Sequence, residues 1–303
     1  YNARAVYTEP IFKRSLLEFS LGKSNNRSTA EKITYDHNDL NGKYDQLNDS
    51  LTNDFENTYG FTNAGIRLRT QKKKYNYAVG LSWQRAELEG KITNGIKDSL
   101  IAKSFANILP TARFQYNFTR YKNLTLNYRA FTNQPSVSQL QPVPDNSNVL
   151  NIKEGNPDLK QEFTHNVQIN YMGVNPFKNK NLFGFFNLSR TDNKIVNSDT
   201  LYSSGIKKTK PVNVDGVYNL SGDINLGLPA RFLKGTFRIG SNLGYNHGKQ
   251  FINGVGNIIN AFSAGPRLGV DMSPTEKIDL SFTAGMNYNK TKYSLQPIFN
   301  NTY

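Results

Sequence analysis

Residues 212–228 read VNVDGVYNLSGDINLGL and alternate with a period of two. The even positions carry valine, tyrosine, leucine, isoleucine or glycine. The odd positions carry asparagine, aspartate, serine or glycine, with Val217 as the exception. A period of two places the two sets of side chains on opposite faces of a β-strand. The stretch therefore predicts one strand with an apolar and a polar face, much longer than the average of about five or six residues.

The same alternation recurs in four other stretches, residues 62–69, 75–84, 262–272 and 278–289. Each places aliphatic or aromatic side chains on one face and mostly polar side chains on the other. On the apolar face of the third stretch, Pro266 has no N–H for a sheet ladder, which predicts a local irregularity. In 303 residues we count about twelve such strands.

The connections between the strands alternate between short and long. Short polar turns are expected at residues 71–74, 120–123, 173–181, 229–235 and 273–277. Longer loops are expected at residues 36–58, 86–103, 134–161, 193–210 and 247–260. This order predicts a sheet with tight turns at one rim and large loops at the other.

The composition excludes several classes of protein. The chain has no cysteine, which excludes a disulfide scaffold, a thiol nucleophile and a zinc-thiolate site. It has no apolar run of about eighteen residues, which excludes a helical membrane span. Its 17 tyrosines and 19 phenylalanines argue against disorder, and its 40 asparagines favour many turns.

Two architectures accommodate long strands with two different faces. In a soluble β-sandwich the apolar face points inward, whereas in a membrane barrel it contacts lipid and the polar face lines the lumen. Strand length, the sorting of loops to one rim and aromatics near strand ends favour the barrel, although tyrosine is also a good strand former. We therefore predict an all-β, antiparallel transmembrane β-barrel. The aromatics in question are Tyr59, Phe61, Tyr75, Tyr77, Trp83, Tyr116, Tyr128, Tyr171, Tyr218, Tyr245 and Tyr288.

Residues 107–171 carry a more specific pattern. The pieces are Pro135-Ser136, Gln139-Leu140-Gln141-Pro142, Asp145-Asn146-Ser147-Asn148 and Gly155-Asn156-Pro157-Asp158-Leu159-Lys160-Gln161-Glu162. This segment resembles the β-barrel region of the TonB-dependent-receptor-like outer-membrane proteins of the Bacteroidetes type, and weaker similarity extends over all 303 residues. The resemblance implies the outer membrane of a Gram-negative bacterium and a larger barrel of about twenty-two strands. It also implies a plug domain and the TonB system as partners.

On that basis residues 1–303 are expected to form a single outer-membrane β-barrel domain fragment, without plug or signal peptide. Within the 134–161 loop, four prolines stiffen the chain and the Asp-Asn-Ser-Asn run favours turns. The main expectation is a folded loop that covers one rim. Direct contact with a ligand is the alternative. The four prolines are Pro135, Pro142, Pro144 and Pro157.

No catalytic, cofactor-binding or metal site is predicted, and the chain is not expected to be an enzyme. His37, His165 and His247 show neither metal-ligand spacing nor a catalytic triad, and no phosphate-binding glycine motif precedes a helix. The acidic residues of the first long loop lack the EF-hand pattern, so a solvated acidic loop is expected, with a loose calcium site as the alternative. They are Asp36, Asp39, Asp45, Asp49, Asp54 and Glu56.

The net charge of +14 has two sources. Basic residues gather at the short turns, where they can contact lipid phosphates: residues 72–74, Lys178, Lys180, Arg231 and Lys234. Others are expected on or near lumen faces, where they pair with lumen acids, hydrate the channel or attract anionic solutes: Arg67, Arg69, Arg85, Arg129, Arg238 and Arg267. Nucleic-acid binding is not expected, because it needs basic and aromatic side chains on the same face.

The predicted function is the barrel portion of a TonB-dependent outer-membrane receptor or transporter. Long extracellular loops would capture a solute, which would then pass through a polar lumen. The alternatives are a passive porin-like channel and a soluble β-sandwich adhesin or glycan-binding module. Expected partners are outer-membrane lipid and lipopolysaccharide, the plug domain and TonB system, and an unknown small solute, glycan or peptide. The sequence assigns no substrate-binding residue.

Overall fold

The computed structural model describes residues 1–49, 52–94, 99–141, 144, 148–295 and 300–302. Within these residues the chain forms nineteen β-strands, a short α-helix and two 3-10 turns, Pro176–Lys178 and Arg231–Leu233. No helix of this part of the chain has the length and apolarity of a membrane span. The elements are β1 (Asn2–Phe12), β2 (Ser15–Lys32), β3 (Tyr35–Asn38), β4 (Lys43–Leu47), β5 (Asn53–Gln71), β6 (Tyr75–Asn94), β7 (Ser99–Thr119), β8 (Lys122–Asn133), α1 (Val137–Leu140), β9 (Asn151–Lys153), β10 (Glu162–Asn175), β11 (Lys180–Asp192), β12 (Lys194–Leu201), β13 (Lys207–Val214), β14 (Val217–Ala230), β15 (Gly235–Ile252), β16 (Val255–Thr275), β17 (Ile278–Gly285), β18 (Tyr288–Tyr293) and β19 (Asn300–Thr302).

Antiparallel pairing builds a wall in the order β1, β2, β5, β6, β7, β8, β10, β11, β14, β15, β16 and then β17 with β18. Strands β17 and β18 occupy one position, because both continue the same register against β16. These strands fill twelve positions, in agreement with the number of strands expected from the alternation, and the three-residue β19 pairs with β18 beyond them. No ladder among the described residues joins β1 to β17, β18 or β19, so the sheet is open there.

The two faces of the wall follow from the pairing, because directly opposed residues share a face. Leu188, Leu220, Tyr245 and Phe262 form one row across β11, β14, β15 and β16 on the apolar face. Apolar side chains on this face are largely uncovered; Ile108 and Leu268 are each 62% exposed. A soluble sandwich would bury them against a second sheet, so that alternative is wrong.

Aromatic side chains lie near both ends of the apolar face, as expected for a membrane barrel. Toward the short turns, Phe118 contacts Tyr116 and Tyr171 with ring centroids 4.8 and 6.4 Å apart. Two residues of the predicted set are exceptions. Tyr59 and Phe61 lie opposite Leu88 and Ala86 on the polar face, because they share parity with the polar positions of β5.

The strand predicted over residues 212–228 is in fact two strands. Thr191 pairs with Val217 and Lys194 with Val214, so β11–β12 and β13–β14 form one long hairpin in one register. The ladder is interrupted where Gly216 adopts a φ of 80°. Val212 and Val214 therefore belong to a hairpin arm beyond the wall, which also pairs in parallel with β9.

Several predicted loops are ordered hairpins, a difference from the expectation. Residues 36–58 contain the β3–β4 hairpin, and residues 247–260 continue β15 and β16 to a turn at Asn253 and Gly254. Both turn residues have positive φ, which matches the twist of a two-residue hairpin. Residues 86–94 and 99–103 similarly extend β6 and β7. The long-loop rim is thus built from strands that rise beyond the wall.

The irregularity expected at Pro266 is confirmed. The last wall position is broken between β17 and β18 at Met286 and Asn287, opposite this proline. The Met286 N–H donates to the Pro266 carbonyl oxygen at 3.1 Å, but Pro266 cannot donate in return.

Candidate functional site

The connection between β8 and β10 folds against the polar face at the long-loop rim. Helix α1 places Val137 and Leu140 against Leu88 of β6 and Ile101 of β7, and Leu159 completes this buried cluster. The Leu140 side chain is fully buried. We call the described residues of 134–161 the clamp; this part of the connection is folded, as expected from the sequence. Pro142, Asp145, Asn146 and Ser147 lie outside the described residues.

Local contacts explain the residue types of the clamp. Ser136 caps α1, accepting from the Gln139 N–H, while the Gln139 side chain accepts from the Ser136 N–H at 2.9 Å. Gly155 packs against the Gln141 backbone so closely that a Cβ would overlap the Gln141 carbonyl oxygen. Asn156 donates its backbone N–H to the Gln139 carbonyl oxygen at 2.6 Å. These residues therefore close the loop on itself.

The clamp is tied to the β12–β13 hairpin by polar contacts. Asn156 Nδ2 donates to the Pro211 carbonyl oxygen at 3.0 Å, and the Lys160 N–H donates to Asn213 Oδ1 at 2.8 Å. Lys208 Nζ lies 2.5 Å from Glu154 Oε2. This hydrogen bond lowers the pKa of Glu154 below its ordinary value and raises the pKa of Lys208.

Glu162, the last residue of the family-like segment, anchors the base of the same hairpin. Its carboxylate is largely buried, accepts from the Ile195 N–H at 2.9 Å and lies 2.9 Å from Lys194 Nζ. Asn133 Nδ2 donates to its second oxygen at 3.4 Å. The segment that carries the family resemblance thus fastens loops to the wall.

Nearer the short turns, the polar face carries a concentration of arginines. Arg69, Ala78, Arg113 and Asn127 form one row across β5, β6, β7 and β8. Arg67, Gly80, Thr111 and Arg129 form the next row. The small residues Ala78 and Gly80 leave space between the guanidinium groups. We call Arg67, Arg69, Arg113 and Arg129 the arginine patch.

Two cavities lie over this patch. One of about 330 Å³ is lined by Arg69, Arg113 and Gln115, among others. The second, of about 400 Å³, is lined by Arg113 and Arg129 together with the amides Asn127, Asn166 and Gln168. Guanidinium and amide N–H groups are hydrogen-bond donors, so both cavities present donors to an anion.

The patch is poor in compensating negative charge. Arg67 lies 3.9 Å from Glu18. Arg69, Arg113 and Arg129 are exposed, and within the described residues no carboxylate lies within 4.0 Å of them. The Arg129 guanidinium instead lies 5.0 Å from the centroid of the Phe131 ring. This part of the polar face therefore presents net positive charge.

The arginines on the opposite part of the polar face are neutralised. Arg238 Nε lies 2.6 Å from Asp271 Oδ2, and Arg267 Nη2 lies 2.5 Å from Asp223 Oδ2. The expectation that lumen arginines pair with lumen acids holds for these two and, weakly, for Arg67. The difference between the two regions is what identifies the patch as a candidate site.

The structure differs from the sequence prediction for two arginines, Arg85 and Arg113. Arg85 shares parity with Trp83, so it lies on the apolar face, where its Nε is 3.1 Å from Glu87 Oε1. Arg113 was not among the expected residues, although the alternation of β7 places it on the polar face beside Asn127. Following parity through residues 105–115 would have identified it.

The histidines of the described chain lie apart from one another, one in the first loop and two on the apolar face. His165 and His247 lie on the apolar face, where His165 Nδ1 is 2.9 Å from Tyr128 Oη and His247 stacks on Tyr218. In the first loop, hydrogen bonds from Asn41 and Asn38 lower the pKa of Asp45. No group of three histidines or acids in the described chain is placed to hold a metal ion.

Comparisons with known proteins agree with this geometry. The model of the outer membrane protein β-barrel family matches residues 1–303. None of the curated proteins matches the chain. Among solved structures, the copper transporter OprC is similar over 95% of this chain and 47% of its own, with 13% identity and a TM-score of 0.58. The haemophore receptor HasR of Serratia marcescens, solved with HasA and haem, is similar over 91% of this chain and 56% of its own, with 10% identity and a TM-score of 0.50. The chain thus spans about half the length of these structures, which are transporters and receptors rather than enzymes.

Proposed function

Because the chain belongs to the outer membrane protein β-barrel family, we propose that it forms part of the wall of a receptor-type transporter for an anionic solute. Its place is the outer membrane of a Gram-negative bacterium. The solute class is a small molecule that bears carboxylate or phosphate groups. The observation that carries this proposal is the arginine patch: the guanidinium groups of Arg69, Arg113 and Arg129 are exposed and have no carboxylate of the described residues within 4.0 Å, and Arg67 lies 3.9 Å from Glu18.

The family resemblance and the open edges of the wall support a proposal for the other parts of the transporter. The long-loop rim faces the cell exterior and captures the solute, while the short turns face the periplasm. Further strands pair with the open edges, because an unpaired backbone group in lipid costs several kcal/mol. A plug domain and the TonB system supply gating and energy, as in the receptors that the chain resembles.

Binding of a polycarboxylate probe tests the proposal. Citrate is titrated into the full-length protein in detergent, with sucrose as the neutral comparison. The Arg113→Gln/Arg129→Gln variant is expected to bind citrate at least tenfold more weakly, because each lost charge-assisted hydrogen bond contributes about 1.5–3 kcal/mol. Arg267→Gln is the matched control, since Arg267 is already paired with Asp223. Equal citrate affinity of the double variant and the unchanged protein would contradict the role of the patch.

A passive porin-like channel shares the wall and the patch, so uptake must distinguish it. Citrate uptake is measured in cells before and after collapse of the inner-membrane proton gradient. Loss of uptake supports an energised receptor. Unchanged uptake, saturating or not, supports the passive channel.

A further inference from the structure

A second group of cations lies where the first two short turns of the wall meet. The turn between β1 and β2 carries Lys13 and Arg14, and the turn between β5 and β6 carries three lysines at residues 72–74. The Gln71 N–H donates to the Arg14 carbonyl oxygen at 2.9 Å, which holds the two turns side by side. Cations from segments far apart in sequence therefore meet at one place on the short-turn rim.

These two turns enclose a cavity of about 510 Å³. Its lining includes Pro10, Leu16 and Arg69, which form one row of the polar face across β1, β2 and β5. The cavity is therefore continuous with the lumen side of the wall. Its cationic lining consists of Lys13, Arg14, Arg69, Lys72 and Lys73. We call these five residues the turn cradle.

The turn cradle has no compensating negative charge among the described residues. All five cations are exposed, and no carboxylate of the described chain lies within 4.0 Å of their side-chain nitrogens. Lys72 Nζ instead donates to Tyr75 Oη at 3.0 Å and lies 5.2 Å from the centroid of that ring. On the opposite part of the polar face, by contrast, Arg238 is paired with Asp271. The turn cradle therefore presents net positive charge to an anion in the cavity.

Arg69 belongs to both the turn cradle and the arginine patch, so the two groups are continuous along β5. It also lines the cavity of about 330 Å³ together with Arg113. From Arg67 to Arg69 and from Arg69 to Lys72 the chain advances two and three residues, or about 7–10 Å. These steps are close to the Debye length, about 8 Å at physiological ionic strength, so the potentials of neighbouring cations overlap. An anion that leaves the arginine patch toward the short turns therefore stays in a positive potential.

We propose that the turn cradle is a second anion site, to which the solute moves from the arginine patch before it leaves the lumen. The ligand class is a small molecule with carboxylate or phosphate groups, which guanidinium and ammonium groups bind through charge-assisted hydrogen bonds. Because its cations are exposed and lie on turns, the turn cradle binds such an anion weakly enough to release it, as movement along a series of sites requires. The identity of the solute and the periplasmic position of the short turns rest on the proposed function.

The number of citrate molecules that the full-length protein binds in detergent tests this second site. Equilibrium dialysis with radiolabelled citrate is expected to show two classes of site in the unchanged protein. Arg14→Gln/Lys73→Gln should weaken one class at least about tenfold, because two charge-assisted hydrogen bonds are lost, and leave the other class unchanged. Lys178→Gln/Lys180→Gln is the matched control, since it removes two cations of the same rim from the turn between β10 and β11, outside the cavity. Both classes should keep their affinity within about twofold in this control.

The patch variant Arg113→Gln/Arg129→Gln separates this site from the proposed function. It is expected to weaken the class of citrate site that the turn-cradle variant leaves unchanged. If the patch variant loses a class and the turn-cradle variant loses none, the proposed function stands and the second site is refuted. If the turn-cradle variant alone loses a class, the second site stands and the role of the arginine patch is refuted.

Other results would also overturn the proposal. One is a single class of citrate site in the unchanged protein. Another is saturable binding of a tetraglutamate peptide that Arg14→Gln/Lys73→Gln abolishes while its citrate binding is unchanged, because the occupant would then be an acidic protein segment. Should the double variant not fold, Lys73→Gln alone should weaken the same class about threefold, and unchanged affinity would refute the site.

Discussion

Replacing Ile224 with arginine tests which face of the wall contacts lipid. Ile224 lies on the apolar face of β14, is 52% exposed and has Gly184 and Ser241 opposite it. Asn242→Arg is the control on the polar face. Asn242 lies opposite Asp223, so the new guanidinium gains a carboxylate neighbour and water.

The expected loss of folding free energy depends on how deep in the membrane the substituted residue lies. The apolar parity of β14 runs from Leu220 to Ala230, so its centre is near position 225. Ile224 is one residue from that centre, about 3 Å along the strand. An arginine near the midplane on the lipid face costs about 2–4 kcal/mol. Asn242→Arg, at nearly the same depth, is expected to cost less than about 1 kcal/mol, and Leu220→Arg, near the interface, about 0–1 kcal/mol.

The assay is reversible folding of the full-length protein into lipid vesicles along a guanidinium series. The folded fraction is scored by the heat-dependent mobility of the barrel on a gel, and the free energy of unfolding comes from linear extrapolation. Equal destabilisation by Ile224→Arg and Asn242→Arg would refute the assignment of faces. A larger cost at Leu220 than at Ile224 would refute the position of the membrane.

Three further predictions concern the rims and the clamp. The chain has no cysteine, so single cysteines introduced at Gly254 and Lys73 should report the orientation of the barrel. An impermeant maleimide should label Gly254→Cys in intact cells and Lys73→Cys only after the outer membrane is opened. The reverse labelling pattern would show that the barrel has the opposite orientation. Gly155→Ala should destabilise the clamp by about 1–3 kcal/mol, because the added Cβ would overlap the Gln141 backbone. Faster hydrogen exchange around α1 would show this loss of stability, and unchanged exchange would contradict it. The pKa of Glu154 is lowered by Lys208, so the tether is stabilised above the ordinary value of 4.5 and weakens as the pH falls through the lower folded value. A Lys208→Gln variant should lose this pH dependence in intrinsic-rate-corrected hydrogen exchange of the clamp, and an unaltered profile would argue against the tether.

Sequence parity alone predicts the faces of the wall well. It places Arg67, Arg69 and Arg129 on the polar face, and applied to β7 it also finds Arg113. Parity also gives the observed faces of Phe61, on the polar side of β5, and of Arg85, on the apolar side of β6. Parity is reliable here because each face meets a different solvent along the whole strand.

The bends and the clamp could not be predicted in this way. The even-numbered positions of the apolar face continue from Val214 through Gly216 to Tyr218 and Leu220, so the alternation does not mark the end of the wall at Gly216. The clamp depends on contacts between residues far apart in sequence, such as Asn156 with Pro211. Such contacts are decided by packing and backbone hydrogen bonds that a local pattern does not contain.

The order of strands in the wall has a kinetic consequence. Each wall strand pairs with the wall strand that precedes it in the chain, so assembly can proceed one hairpin at a time with little loop-closure entropy at each step. The clamp differs, because its contacts with Pro211 and Asn213 span 55 and 53 residues. Its tethers to the β12–β13 hairpin can form only after β13 has been added. The clamp therefore attaches to the long-loop rim late in folding. Chains whose wall strands have not all paired should be those in which a protease cleaves the clamp.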